Sequence, residues 1–284
     1  MPEQTAPLRR DDSPQEGHRL DLRRTFDEDA ELYDRARPGY PAELYRDLAE
    51  LAGAVPGSRV LELGCGTGQA TLPLVAQGCR LTAVEAGLRM AAVARRHLAA
   101  QPAPPAGPAE VVTSDFESWP LPAAPFDAVV SATAFHWIDP AVRVTKSADA
   151  LRPGGALAVV RTQHVRGGTE EFFREVQRCY ERFAPATPPG LQPPVADSIH
   201  GTDHAEEVAR SGRFAPTVFR RYERDLTYTT AEYLDLLLTY SNHRALPTPA
   251  RDGLLTAIAT LIDTRYEGRV TKRYLTELGI SHRH

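Results

Sequence analysis

Short apolar runs alternate with amphipathic stretches through the first half of the chain. Apolar runs bounded by Gly, Pro or acidic residues predict buried strands, whereas apolar residues three and four apart predict helices. Strands are predicted at 60–63, 80–85, 110–114, 126–133 and 156–161, and helices at 42–52, 69–77, 88–100 and 140–150. Regular alternation of strand and helix indicates an α/β fold, a doubly wound and mostly parallel sheet with helices on both faces.

The pattern changes at both ends of this region. Before the first strand, residues 26–37 have helical spacing that stops at Pro38. Beyond Thr162 the strand and helix alternation ends. The later segments are predicted as helices at 169–183, 231–240 and 250–267, a proline-rich connection at 184–195, and strands at 217–227 and 270–278. The late strands bring the predicted sheet to seven strands, and the other late segments are expected to form a cap over it.

Composition excludes several classes of protein. The formal net charge of −4 provides no overall positive field for nucleic acid, so no nucleic-acid partner is expected. Three cysteines without paired spacing indicate neither a disulfide framework nor a metal site. The apolar runs are too short for a membrane span, and no signal peptide is evident. We therefore expect a soluble cytoplasmic protein without a metal or a membrane partner.

The first predicted strand runs into three glycines at alternate positions, Gly64, Gly66 and Gly68. Glycine suits such a loop because it adopts positive φ readily and lets a ligand approach the backbone. Glu85 closes the second strand about 20 residues later, where an open α/β sheet places a carboxylate that binds a ribose diol. The spacing differs from the G-x-G-x-x-G of dinucleotide sites, and Glu62 before the loop would repel a phosphate. The ligand is therefore expected to contain a ribose and a cationic group.

Asp115 ends the third apolar run, and together with the loop it completes a set that resembles the class I S-adenosylmethionine-dependent methyltransferases. The resemblance covers roughly residues 24–162 and implies a Rossmann-like methyltransferase fold. It also implies S-adenosylmethionine as the cofactor. Glu62 and the three glycines would lie along its methionine part, Glu85 would bind its ribose, and Asp115 would bind its adenine amino group. Phe116 and Met90 are expected to line the adenine site.

The resemblance also suggests how the chain is divided. Residues 1–20 are expected to be a mobile N-terminal segment because they are charged, rich in proline and poor in apolar residues. Residues 21–54 are assigned to N-terminal cap helices, 55–165 to the S-adenosylmethionine-binding core, and 166–284 to cap insertions and the final strands.

The catalytic residues are less clearly marked than the cofactor residues, because the cofactor already carries an activated methyl group. His136 follows the fourth strand at the ligand-binding edge of the sheet and would either remove a proton from the acceptor or orient it. Trp137 beside it and Tyr40 are expected to bind the substrate. Tyr33 is a second catalytic candidate because the N-terminal segment folds over the sulfonium in similar enzymes.

The segment from Phe135 to Asp139 is similar to the small-molecule branch of the family, such as trans-aconitate methyltransferases. No Asn-Pro-Pro-Tyr type sequence follows the fourth strand, so similarity to DNA adenine methylases is lacking. We therefore expect methylation of a small organic acceptor on a hydroxyl or carboxylate oxygen. The alternatives are C- or N-methylation of an aromatic heterocycle in secondary metabolism, a non-catalytic binding protein on the same fold, and a nicotinamide-dependent oxidoreductase.

Overall fold

The computed structural model describes residues 14–101, 108–188, 190, 192–199, 201 and 203–284. Residues 1–13, and with them most of the predicted mobile segment, lie outside the described residues. The predicted division at residue 20 falls inside a helix that runs from Pro14 to Arg24. Across the described ranges, no helix has both the length and the apolar character needed to cross a bilayer.

The described residues form a seven-stranded sheet, which confirms the predicted fold class. The strands are β1 (Arg59–Leu63), β2 (Arg80–Glu85), β3 (Ala109–Thr113), β4 (Phe126–Ala132), β5 (Leu151–Gly168), β6 (Val218–Thr229) and β7 (Arg269–His282). Their spatial order is β3-β2-β1-β4-β5-β7-β6. The first five strands pair in parallel, whereas β7 is antiparallel to both β5 and β6.

Helices cover both faces of the sheet and form the cap. They are α1 (Pro14–Arg24), α2 (Ala30–Ala36), α3 (Ala42–Ala52), α4 (Thr71–Ala76), α5 (Leu88–Ala100), α6 (Arg143–Ala150), α7 (Glu170–Glu175), α8 (Gln177–Phe183), α9 (Asp203–Arg210), α10 (Thr230–Leu238), α11 (Ser241–Arg244) and α12 (Thr248–Arg265). Short 3₁₀ turns lie at Thr25–Asp29, Phe135–Trp137 and Ala196–Ser198.

Strand β5 is much longer than its apolar run predicts. It continues to Gly168 because β7 pairs along it from Ala156↔His282 to Gly168↔Lys272, which supplies backbone partners where the apolar pattern has ended. A register shift between Val165 and Gly168 marks a bulge near its end. The extended hairpin of β5 and β7 therefore carries side chains beyond the core of the sheet and towards the cap.

Several predicted helices begin or end a few residues away from their predicted bounds, and two differ more clearly. The helix predicted at 140–150 begins at Arg143, because the preceding turn is closed by Asp139, whose side chain accepts a 2.8 Å bond from the Ala141 amide. The helix predicted at 169–183 is divided at Val176 into α7 and α8.

The core has separate clusters on the two faces of the sheet and a third in the cap. Leu44 and Leu48 of α3 are fully buried on one face, and Phe126 and Phe135 pack on the other. The cap cluster joins helices α7, α10 and α12 to β7 through residues such as Phe172, Leu236 and Ile258. The cap therefore has its own apolar core, seated beside the carboxyl ends of β4 and β5.

Candidate active site

A cavity of about 1300 Å³ lies at the carboxyl edge of the parallel strands. Parallel strands place their carboxyl ends together, and ligands of open α/β sheets bind at this edge. The cavity has one side made by the loops after β1, β2 and β3, and another made by the cap, β5 and β7. It brings together the candidate site residues Tyr33, Tyr40, Glu62, Gly64, Gly66, Glu85, Met90, Asp115, Phe116, His136 and Trp137.

The glycine loop adopts the conformation that the sequence predicts. Gly64, Gly66 and Gly68 have φ values of 69°, 58° and 105°, which L side chains rarely adopt. At Gly64 a Cβ atom would also lie 2.5 Å from the Cβ of Ala134, in the loop after β4. Gly68 lies behind the loop against α5, where it closes the turn rather than facing the cavity. Close approach of the β1 and β4 loops is therefore possible only with glycine at position 64.

Glu62 places a carboxyl group at the base of the cavity. The residue is only 1% exposed, and its Oε2 accepts a 2.7 Å hydrogen bond from Thr71 Oγ1. Burial raises the pKa of Glu62 to about 7, although the bond from Thr71 opposes the rise and Glu85 adds to it. A buried carboxyl of this kind is stabilised in its charged form by a cationic ligand group.

Glu85 organises the loop through both carboxylate oxygens. Its Oε2 accepts a bond from the Gly66 amide and its Oε1 accepts one from the Gly87 amide, each 2.8 Å long. Burial raises the pKa of Glu85, and the two amide bonds oppose that rise. Because a carboxylate already occupies the Gly66 amide, the loop is poorly suited to a pyrophosphate, whereas the remaining lone pairs of Glu85 suit hydroxyl donors.

The adenine end of the predicted site is lined by Asp115, Phe116 and Met90. Phe116 and Met90 are 4% and 3% exposed, so both are packed in the core as well as lining the cavity. Asp115 is more accessible and forms an ion pair with Arg23 of α1. A ligand amino group bound to Asp115 would share the carboxylate with that arginine.

The N-terminal segment closes over the cofactor side of the cavity. Asp27 Oδ1 accepts bonds of 2.7 Å and 3.0 Å from the Arg89 and Met90 amides, and it thereby caps α5 from outside the helix. Phe26 packs edge-on against Trp137 with ring centroids 5.4 Å apart. These contacts connect the segment to both the second and the fourth strand loops.

The two predicted tyrosines of this segment occupy different parts of the wall. Tyr33 lies beside Gly66, because a Cβ on that glycine would lie 3.8 Å from Tyr33 Cε1. The Tyr40 hydroxyl lies 2.7 Å from Thr133 Oγ1. Burial raises the pKa of both tyrosines, so they remain protonated near neutral pH. Thr133 has φ of 55°, and the contact with Tyr40 helps to hold this rare conformation.

His136 lies in the 3₁₀ turn after β4 and is exposed to the cavity. Its ring packs against that of Trp137 with centroids 4.8 Å apart. The cavity walls desolvate the imidazole, and His204, Arg161 and Arg143 add positive charge, so the pKa of His136 falls to about 4. The side chain is therefore neutral at pH 7, which favours hydrogen bonding to an acceptor over binding it as an imidazolium.

Several cavity residues lie outside the predicted catalytic, substrate-binding and cofactor-binding sets. The cap side contributes Lys272, which is 5% exposed, together with Arg37, Tyr240 and His164. Within the described residues, the buried atoms Arg37 Nε, Arg224 Nε and His164 Nε2 have no hydrogen-bond partner. No local motif marks these residues, and the alternation of inward-facing positions along β5 and β7 would have indicated only His164 and Lys272.

These features fit S-adenosylmethionine. Glu62 is a buried carboxyl suited to an ammonium group, Glu85 has free lone pairs for a ribose diol, and the glycine loop leaves room beside its backbone. Glu62, Gly64, Gly66, Glu85 and Asp115 would hold the cofactor.

A sequence profile of the methyltransferase domain family matches residues 61–159. A methyltransferase of uncharacterized activity from Geobacillus sp. (strain WCH70) is 30% identical over 166 residues, covering 55% of this chain and 74% of that protein. Another from Mycobacterium tuberculosis (strain H37Rv) is 38% identical over 142 residues, covering 50% of this chain and 54% of the relative. The malonyl-[acyl-carrier protein] O-methyltransferase of Enterobacter lignolyticus is 37% identical over 136 residues, covering 45% of this chain and 51% of that protein.

A solved structure from Anaeromyxobacter dehalogenans, described as a type II methyltransferase, matches with a TM-score of 0.56 at 24% identity and covers 87% of this chain and 97% of that one. This likeness supports the fold. The chain spans about half the length of the mycobacterial relative, so that protein's activity does not transfer as a whole. The similarity to trans-aconitate methyltransferases stays a prediction. The sequence match to the Geobacillus protein, the domain profile and the fold nevertheless agree that the chain belongs to the class I S-adenosylmethionine-dependent methyltransferases.

Proposed function

We propose that this protein transfers a methyl group from S-adenosylmethionine to an oxygen atom of a small organic acceptor. The observation that carries the proposal is the division of charge within the cavity. The carboxyl groups of Glu62, Glu85 and Asp115 line its cofactor side, whereas the cap side is lined by Arg37, Lys272 and several histidines and aromatic rings. One side suits the cationic cofactor, and the other suits an acceptor that is anionic or becomes anionic.

Size supports a small acceptor. A cavity of about 1300 Å³ leaves space for one further small molecule beside a cofactor. Phe26 and Asp27 close the N-terminal segment over the cofactor side, which leaves little access for a polymer. We assign residues 21–54 and the cap insertions to substrate selection. When bound, S-adenosylmethionine supplies an activated methyl group, which leaves its sulfur as the acceptor atom bonds to it, and the sulfur keeps the electron pair.

The side chains that line the cavity position the acceptor. His136 is neutral and accessible, so it orients an acceptor hydroxyl or carboxylate by hydrogen bonding, and Trp137 supplies an apolar wall. Tyr33 and Tyr40 border the same space from the N-terminal segment. The E. lignolyticus relative is named as an O-methyltransferase, which supports the choice of oxygen.

Calorimetric titration tests cofactor binding. S-adenosylhomocysteine should release heat on binding, NAD should not, and Glu85→Gln should weaken the first interaction. Glu110→Gln is the matched control, since Glu110 is an exposed acid on β3 that bonds to Thr82 away from the cavity. Absence of binding, or equal binding by Glu85→Gln and the wild type, would exclude the cofactor assignment.

Incubation with S-adenosylmethionine and a panel of phenols, enols, carboxylic acids and heterocycles tests the acceptor. Mass spectrometry would then locate the new methyl group. We expect it on oxygen, with His136→Ala changing KM more than kcat. A methyl group found on carbon or nitrogen contradicts the oxygen assignment, and turnover only with a nucleic acid or a protein contradicts the small-molecule proposal.

A further inference from the structure

Tyr240, Lys272 and Arg37 form a compact group on the cap side of the cavity. Lys272 Nζ donates a 3.1 Å hydrogen bond to the Tyr240 hydroxyl oxygen. The same ammonium lies 5.2 to 5.9 Å from the ring centroids of Tyr233, Tyr240 and Tyr274. Aromatic rings stabilise a buried cation in this position, so Lys272 is held as an ammonium group beside Tyr240.

Arg37 contacts the aromatic ring of Tyr240. Its guanidinium carbon lies 4.6 Å from the Tyr240 ring centroid and 5.1 Å from that of Tyr33. Arg37 is fixed by donating a 3.0 Å bond to the Thr239 carbonyl oxygen. Because Tyr33 borders Gly66, the group is continuous with the cofactor loop. Tyr240 lines the same cavity and is linked through Arg37 to the tyrosine that borders the cofactor loop.

The two cations lack an acidic partner. Among the residues that the structure describes, no carboxylate lies within ion-pair distance of Lys272 or Arg37, and Arg37 Nε is buried without a hydrogen bond. Two neighbouring positive charges in a largely buried site are stabilised by a negative charge between them. The Tyr240 oxygen is the titratable oxygen already in contact with Lys272.

The ionisation of Tyr240 follows from these neighbours. Burial alone raises the pKa of Tyr240, but the charges of Lys272 and Arg37, with hydrogen bonds from Lys272 and Tyr274, outweigh burial and lower it overall. The other titratable groups that face it are neutral at pH 7. They are the ring of His243 on α11 and the phenols Tyr33, Tyr180, Tyr228, Tyr233 and Tyr274.

Building on the proposed function, we propose that Tyr240, whose oxygen accepts a hydrogen bond from Lys272 and whose ring contacts the Arg37 guanidinium, is the base that deprotonates the acceptor. The O–H bond of the acceptor breaks and its electron pair stays on the acceptor oxygen, while the proton forms a new O–H bond at Tyr240. That proton is released to water after the product leaves. The acceptor is accordingly a weakly acidic hydroxyl, such as a phenol or an enol. A carboxylate would need no base.

Spectroscopic titration tests this ionisation without cofactor or acceptor. The near-ultraviolet absorbance of tyrosinate in the wild type should show one tyrosine ionising at lower pH than the rest. Tyr240→Phe should lack this step, Lys272→Gln should move it to higher pH, and Tyr222→Phe should retain it. Tyr222 is a suitable control because it lies on β6, bonds to Asp47 and is absent from the cavity wall. A wild-type curve without the early step overturns the proposal.

Kinetics with an acceptor from the panel separate this inference from the proposed function. Tyr240→Phe should bind S-adenosylhomocysteine as the wild type does but lose about 10²- to 10⁴-fold in kcat. Lys272→Gln should shift the acid limb of kcat/KM to higher pH. If the wild type methylates an acceptor and Tyr240→Phe keeps its kcat, the base assignment fails while the methyltransferase proposal stands. If Lys272→Gln raises only KM for carboxylates, the two cations bind an anionic acceptor instead, and the proposal is wrong.

Discussion

Glu62 is buried, and its proposed role in binding the cofactor requires a charged carboxylate. The folded pKa of about 7 exceeds the ordinary value of 4.5, so the folded protein resists ionisation of this group. The favourable contribution of Glu62 to stability is present below pH 4.5 and is lost as pH rises through 7. At pH 8 the buried Glu62 carboxylate therefore lowers the free energy of unfolding of the wild type by its full amount.

Glu62→Gln should raise the free energy of unfolding at pH 8 by up to about 3 kcal/mol, and by much less at pH 5. It should also weaken S-adenosylhomocysteine binding by roughly 10- to 100-fold, because a charged hydrogen bond is lost. Urea unfolding at the two pH values and calorimetric titration measure the two effects. Equal stability changes at pH 5 and pH 8 would show that the carboxyl carries no such cost.

The capping of α5 by Asp27 connects the N-terminal segment to the core at the level of whole elements. The N-cap residue of α5 is Gly87, which has no side chain to bond the first amides of the helix. Asp27 fulfils this role from a segment some 60 residues away in sequence, as its bonds to Arg89 and Met90 show. The cap of this helix is therefore also an attachment of the segment that covers the cofactor side.

Asp27→Ala should cost about 1 kcal/mol of stability, the usual cost of losing an N-cap. It should also increase amide hydrogen exchange in residues 26–40 and speed the dissociation of S-adenosylhomocysteine. Asp21→Ala is the matched control, since its side chain is exposed and pairs only with Arg24 among the described residues. Unchanged exchange in residues 26–40 would show that Asp27 does not hold the segment.

The bulge near the end of β5 sets the position at which Lys272 of β7 pairs with it. Gly168 permits this bulge. Gly168 has φ of 65° and lies opposite Lys272, and a Cβ there would clash with the carbonyl oxygen of Thr271. Gly212 has φ of 64° but no atom within 4 Å of its would-be Cβ. The two glycines thus share a backbone conformation and differ in their surroundings.

Gly168→Ala should destabilise the protein by about 1 to 3 kcal/mol more than Gly212→Ala, because only the former adds a steric clash to the backbone cost. Denaturant unfolding of the two variants gives the comparison directly. Equal losses would mean that the strand shifts to accommodate the extra atom.

The elements of the core could be predicted closely because local signals mark them. Helices α3 and α5 have the predicted bounds, since Pro41 and Gly53 flank one and Gly87 precedes the other. The cofactor loop was predicted because its glycines and acids follow strand ends at fixed spacing. The length of β5 was not predicted, since its second half depends on pairing with β7, more than 100 residues later.

At the scale of the whole molecule, the residues on the acceptor side of the cavity could not be identified from the sequence. Arg37, Tyr240 and Lys272 come from three segments distant in sequence, and each has an ordinary local context. Their meeting depends on how the cap packs over the β5 and β7 hairpin. The candidate cofactor residues could thus be proposed from their spacing, whereas the candidate base could be proposed only from the tertiary structure.

The histidines of the cavity and the cap should make the protein as a whole sensitive to acid. Burial is the main cause that lowers the pKa of His243 to about 4 and that of His164 to about 3, below the ordinary value of 6.5. As pH falls below 6.5, these histidines bind protons in the unfolded chain but not in the folded protein. Their contribution to stability therefore decreases. Glu62 and Glu85 act in the opposite sense above pH 4.5, so the contribution of one histidine is measured by comparing its variant with the wild type.

The contribution of neutral His243 to the free energy of unfolding should therefore decrease as pH falls from 6.5 towards 4. His243 is 6% exposed and alone contributes up to about 3 kcal/mol to this decrease. Its Nε2 is hydrogen-bonded to the Tyr180 hydroxyl at 2.9 Å, and in a protonated ring this nitrogen could only donate. His243→Gln cannot gain the proton, so its stability should depend less steeply on pH, whereas exposed His282→Gln should follow the wild type. Urea unfolding at several pH values measures these slopes, and parallel curves for His243→Gln and the wild type would show that His243 is not held neutral by the fold.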